Sequence, residues 1–278
     1  VGAPYFESVF VPMMIPMIVV MGIAPFLRWK RGDFTKTTSK LKVVGIISLI
    51  GGCFVWLIFD RSSALSSLGI ALSIWLFSAT FTELTSRIKL FQVPLKDSMR
   101  SIIRQPRASW GMTFAHIGLA LAVAGITASS TWKVESIQVM KFGDQVEVAG
   151  YTYTLKEVKK VQGPNYIATR GVFNVQKGDD FKITLKPEKR EYQTRSMVTT
   201  EAAIYSTFFG DLYAVVGDRD KSSGGYITRI YFNPLVPWMW AGAIFMVLGA
   251  AISLTDRRHR VGAPARSSNI TAGQVVAK

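Results

Sequence analysis

The chain has 278 residues, of which 49% are apolar or aromatic, and carries a formal charge of +15. Its mean hydropathy is +0.25, the balance of a membrane protein with a polar portion. The basic residues sit in short runs beside apolar segments, which argues against nucleic acid and for a membrane-flanking role. The single cysteine, Cys53, excludes an internal disulfide, a CxxC redox pair, a CxxCH haem-attachment site and a thiolate metal cluster.

Five apolar segments predict five membrane-spanning helices. The first, Val9 to Leu27, contains Pro12, Pro16 and Pro25 and is expected to be kinked. The second runs from Leu41 to Phe59 and is interrupted only by Ser48 and the pair Gly51–Gly52. The third, Ala64 to Phe81, places Ser66 and Ser73 two turns apart, a spacing suited to contact with another helix. The fourth is Trp110 to Ser130, and the fifth, Leu235 to Leu254, opens with Trp238 and Trp240 as interfacial anchors.

The connecting loops predict orientation. Arg28, Lys30, Arg31, Lys36, Lys40 and Lys42 lie between segments one and two. Arg87, Lys89, Lys96, Arg100, Arg104 and Arg107 lie between three and four, and Arg257, Arg258 and Arg260 follow segment five. These loops are therefore read as cytoplasmic, with the N-terminus outside. The stretch from Ser86 to Trp110, basic with scattered apolar residues, predicts a short helix lying on the anionic inner leaflet.

Between the fourth and fifth segments, about a hundred residues from Trp132 to Phe232 are polar and strand-like. VESIQVMK, DQVEVAG, YTYTLKEVKKV, YIATRGVFNVQ, DFKITLKP, MVTTEAAIYSTF, DLYAVVGD and YITRIYF show alternation or β-branched and aromatic enrichment. The fold class expected is an α-helical integral membrane protein with an inserted all-β, antiparallel sandwich- or barrel-like domain on the outer side. The expected division is residues 1–130 for four spans with basic cytoplasmic loops, 131–233 for the β domain and 234–256 for the last span. Residues 257–278, rich in Ser, Ala and Gly, are expected to be a disordered cytoplasmic tail.

The fourth segment holds one ionisable residue, His116, and an ionisable group inside a membrane points to function. Gly111, Ala115, Gly118, Ala122, Gly125 and Ser129 form a stripe of small residues that suits close helix approach. On the face of His116 lie Thr113, Ala120, Ala124 and Thr127, which would leave room beside the imidazole. His116 is six residues past Trp110, roughly 9 Å along the axis, hence in the cytoplasmic half of a core about 30 Å thick. Its neutral ring could ligate metal or haem iron, relay a proton, or hydrogen-bond a neighbouring helix.

RQPRASWGMTFAHIGLALAVAGI, KFGDQVEVAGYTYTLKEVKKVQGPNY, LKPEKREYQTRSMVTTEAAI, DLYAVVGD and NPLVPWMWAGAIFMVLGAAISLTDRRHR resemble the C-terminal part of the CcmF family. That family is the membrane subunit of the bacterial cytochrome c haem lyase. The resemblance implies a multi-pass protein of the bacterial inner membrane with its β domain in the periplasm. It implies a complex that takes haem from the haem chaperone CcmE and joins it to the CxxCH motif of apocytochrome c, with CcmH and CcmI as partners. It further implies a transmembrane haem b held by two histidines, with membrane quinol as a source of reducing equivalents. His116, in its FAHIGLAL context, would be one axial ligand of the haem iron.

The family's tryptophan-rich WWD segment has no counterpart here: the tryptophans are at 29, 56, 75, 110, 132, 238 and 240. The other haem ligands of the family also lie upstream, and the sequence opens on Val1, so the chain is read as a fragment or one product of a split protein. The upstream CcmF half would then be a partner, no catalytic residue is assigned, and this chain alone would not run the reaction. The alternative is a non-catalytic membrane scaffold whose β domain docks assembly partners. A solute transporter is poorly served, because the spans show no paired charges to carry a coupled ion.

Overall fold

An apolar run of about 20 residues spans a bilayer as a helix because only internal hydrogen bonding satisfies its backbone there. The computed structural model, which describes residue 2 and residues 5–27, 34–59, 64–179, 181–193 and 197–256, forms five such helices among the described residues. The first is broken into three pieces around its prolines: a π-helical turn Phe6–Phe10, α1 (Val11–Ile23) and a 3-10 turn Ala24–Phe26. Then follow α2 (Phe34–Ile58), α3 (Ala64–Arg87), the short α4 (Leu95–Arg104) and α5 (Arg107–Thr131). After the β domain comes α6 (Val236–Leu254). The tail 257–278, with His259, lies outside the described residues.

Helix α3 runs six residues past the apolar limit at Phe81. Its polar last turn is kept helical by back-bonds from the Thr85 and Ser86 hydroxyls to the Thr82 carbonyl and by the Arg87–Glu83 ion pair. Hydropathy ends the segment too early, so Glu83 and Arg87 belong to a helix and not to a loop.

Helices α5 and α6 pack with their backbones almost touching. A Cβ added at Gly118 would come 2.6 Å from the Gly242 carbonyl oxygen, and one at Gly111 2.5 Å from that of Gly249. Gly125 meets Met239 and the Leu235 carbonyl in the same way. The seven-residue repeat of small residues thus finds its partner in the last helix. At the far end the Asp256 carboxylate accepts from the Ala108 amide at 3.0 Å, satisfying a free donor at the start of α5. On its other side α5 packs against α3: Ser73 Oγ donates to the Ala120 carbonyl at 2.8 Å, and Ser66 and Thr131 share a 2.8 Å hydroxyl contact. Both serines singled out by spacing therefore bridge helices. Trp75 of α3 donates to the Val19 carbonyl of α1 at 3.2 Å.

The β domain is a two-sheet sandwich. One sheet has the order β1 (Val134–Met140), β10 (Tyr226–Pro234), β9 (Gly210–Arg219), β8 (Ala203–Thr207). The other has β2 (Gln145–Val148), β3 (Tyr151–Gln162), β4 (Tyr166–Lys177), β6 (Glu188–Tyr192) and β7 (Met197–Glu201), with β5 (Phe181–Leu185) also on β4. Strand β4 is long enough to pair β6 through Tyr166–Arg170 and β5 through Phe173–Lys177 along one edge. All pairs are antiparallel. Inward residues of both sheets close the core: Tyr153, Leu155, Phe173, Val175 and Leu185 against Met140, Leu212, Ala214 and Ile230.

Two strands differ from the sequence expectation. MVTTEAAIYSTF is not one strand but β7 and β8, which belong to different sheets and change over at Ala202. EKREY forms β6, although only Tyr192 is apolar in it. Its Glu188 is buried because Arg170 and Arg190 both pair with the carboxylate, at 2.5 and 2.8 Å.

Candidate functional site

His116 lies midway along α5, part-buried. Its Nδ1 is 2.8 Å from the carbonyl oxygen of Met112, one turn earlier in the same helix. A carbonyl oxygen only accepts, so in the neutral ring Nδ1 carries the proton and donates, and Nε2 presents its lone pair. Nε2 has no hydrogen-bond partner among the described residues. A ring held in this way by one nitrogen keeps its orientation and leaves the lone pair of the other for a hydrogen-bond donor or a metal ion.

The surroundings differ from the expectation of open room on the histidine face. Thr113 and Ala120 are buried, and Thr127 sits against Gly69 of α3, where a Cβ would collide with the threonine side chain. Small residues on this face serve close packing, as they do on the face toward α6. One groove of about 340 Å³ lies between α2 and α3 and is lined by Lys40, Val44, Phe77 and Phe81, with no residue of α5.

One buried ion pair was missed by hydropathy. Arg87 Nη2 donates to Glu83 at 2.6 Å and to the Thr113 hydroxyl at 2.8 Å, which ties the end of α3 to α5 three residues before His116. Both charged side chains are only 14% exposed, and Arg87 Nε and Nη1 are buried without an acceptor among the described residues. The clue in the sequence was the i,i+4 spacing of Glu83 and Arg87, which favours a helix over a loop. Among the described residues no group of three or more His, Cys, Asp or Glu side chains could hold a metal ion.

Residues 131–234 match the family model of the CcmF C-terminal beta-sandwich. Over 95% of its length the chain is 37% identical to the cytochrome c-type biogenesis protein CycK of Bradyrhizobium diazoefficiens, covering 40% of that protein. It is 32% identical over 94% of its length to the cytochrome c-type biogenesis protein CcmF of Escherichia coli, covering 38% of it. The solved structure of a cytochrome c haem lyase CcmF shares the fold with a TM-score of 0.69 at 19% identity, over 91% of this chain and 41% of that one. The chain thus spans about 40% of the length of the curated relatives it matches. Its helices and sandwich together belong to the C-terminal part of the CcmF family of cytochrome c-type biogenesis proteins.

Proposed function

We propose that the chain is the C-terminal portion of a haem lyase subunit in which His116 would help hold the iron of a transmembrane b-type haem. The observation that carries this reading is the imidazole itself, part-buried, with Nδ1 fixed on the Met112 carbonyl and Nε2 without a partner among the described residues. The residues present fit the group as half of a two-histidine site, and the second ligand would come from the upstream half of the protein. When bound, the haem supplies one-electron chemistry. The chain's own part is to hold the ring in one tautomer and, through α3 and α6, to keep it at one depth.

In this reading the basic helix ends face the cytoplasm and the sandwich lies in the periplasm, anchored to the inner membrane by α5 and α6. Residues 1–130 supply four spans, 131–233 the periplasmic domain and 234–256 the last span. The complex transfers haem from CcmE to the CxxCH motif of apocytochrome c, with CcmH and CcmI as docking partners of the sandwich and quinol as electron donor.

Membranes containing the whole protein should show a low-spin b-type spectrum that is lost in His116→Ala. An unchanged spectrum overturns the ligand assignment. Retained cytochrome c maturation in His116→Gln, which keeps a hydrogen bond but not the ligand, would favour a scaffold instead.

A further inference from the structure

Residues 88–106 join α3 to α5 and include α4, which has three distinct sides. One side docks: Ser98 is 1% exposed with its hydroxyl 3.5 Å from the Lys89 carbonyl, and Trp110 Nε1 donates to the Ile102 carbonyl at 3.3 Å. A second side carries Lys96, Arg100 and Arg104, all exposed. The third carries Leu95, Met99 and Ile103, four residues apart and hence in one line, at 69%, 54% and 84% exposure. Just before the helix Phe91 is 95% exposed, and its backbone is left-handed at φ 64°, a conformation that a bulky residue rarely adopts. No described residue covers these four apolar side chains.

A docked helix with an outward apolar line, flanked by cations and set between the ends of two membrane-spanning helices, has the chemistry of an in-plane membrane helix. Only Asp97 opposes Lys89, Lys96, Arg100, Arg104 and Arg107 across this segment. The charge is thus complementary to an anionic leaflet, and acidic headgroups attract basic residues at this level. We propose that residues 89–104 bind the surface of a bilayer containing anionic phospholipid. Phe91, Leu95, Met99 and Ile103 would enter the acyl boundary, and Lys96, Arg100 and Arg104 would meet the headgroups. The helix would then fix the depth at which α3 ends and α5 begins. This inference does not depend on what His116 binds.

The test is spin-label accessibility in a Cys53→Ser background, with single cysteines at 99, 103, 100 or 104, in native membranes and in reconstituted bilayers. Labels at 99 and 103 should be reached by oxygen more readily than by a water-soluble nickel chelate, and labels at 100 and 104 should show the reverse order. The label at 103 should lie deeper when phosphatidylglycerol is added to phosphatidylcholine. Shielding of position 103 from both reagents in native membranes would mean that protein covers the face and would overturn the proposal. Free access of the chelate there, or equal depth in the two lipid mixtures, would overturn it as well. Unchanged thermal unfolding of each labelled variant confirms that the label reports on the native fold.

Discussion

Arg87 donates from Nη2 to the Thr113 hydroxyl at 2.8 Å, so the last turn of α3 is locked to α5 one turn from the histidine. The same nitrogen holds Glu83, and a buried pair broken by removing one partner leaves the other charge uncompensated. Arg87→Gln should cost about 3 kcal/mol. The double variant Glu83→Gln/Arg87→Gln should lose less, because no lone carboxylate remains. Thermal unfolding of the purified protein in detergent distinguishes the two outcomes.

Gly118 and Gly242 lie back to back, and either Cβ would strike the other's carbonyl oxygen. Gly118→Leu should force α5 and α6 apart and cost about 1–3 kcal/mol, as overpacking does. Ser73→Ala, which removes a hydroxyl-to-carbonyl bond between α3 and α5, should cost only about 0.6 kcal/mol. The backbone contact should thus tolerate substitution less than the polar one. Equal melting losses for the two variants would reverse that order.

Tyr153 is wholly buried in the sandwich core, and its hydroxyl has no hydrogen-bond partner among the described residues. Burial, with the neighbouring Tyr151, pushes its phenol well above the usual tyrosine range. Tyr153→Phe removes an unsatisfied polar group without changing the ring. It should be neutral or stabilise by about 1 kcal/mol in denaturant titration of the β domain signal.

Burial pushes the Glu188 carboxyl up, but hydrogen bonds from Arg190 and Arg170 and their charges outweigh it and hold it below the ordinary value of 4.5. A carboxyl depressed in the folded state contributes stability that is full above its unfolded value and is lost as pH falls through its folded one. The sandwich should therefore weaken progressively below about pH 4.5. Glu188→Gln should remove about 2 kcal/mol at neutral pH and flatten this acid limb, as measured by tyrosine fluorescence against pH.

Much of this architecture is written in the sequence as periodicity. The spans follow from uninterrupted apolar runs, and the glycine–alanine repeat of α5 declares a close contact, though not that α6 provides it. Alternation reveals the strands whose one face is buried. It fails at β6, where burial is secured by the Glu188 ion pairs, and at Ala202, where the chain changes sheets without a turn residue to mark it. At the site, the sequence singles out His116 but not the direction of its ring, because the Nδ1 bond to Met112 depends on a rotamer. Glu83 and Arg87 were hidden by their polarity, which reads as loop until α5 is seen packed against them.

The glycine contact between α5 and α6, with Asp256 closing on Ala108, joins parts of the chain that are made far apart in time. Translation at about 5–20 residues per second takes roughly 5–20 s to produce the hundred residues of the intervening sandwich. For that interval α5 sits in the bilayer with its smooth small-residue face open to any other helix that offers a matching groove. Pairing with α6 therefore waits until the sandwich has been made, and a nascent chain stalled within the sandwich should present α5 as a free docking site.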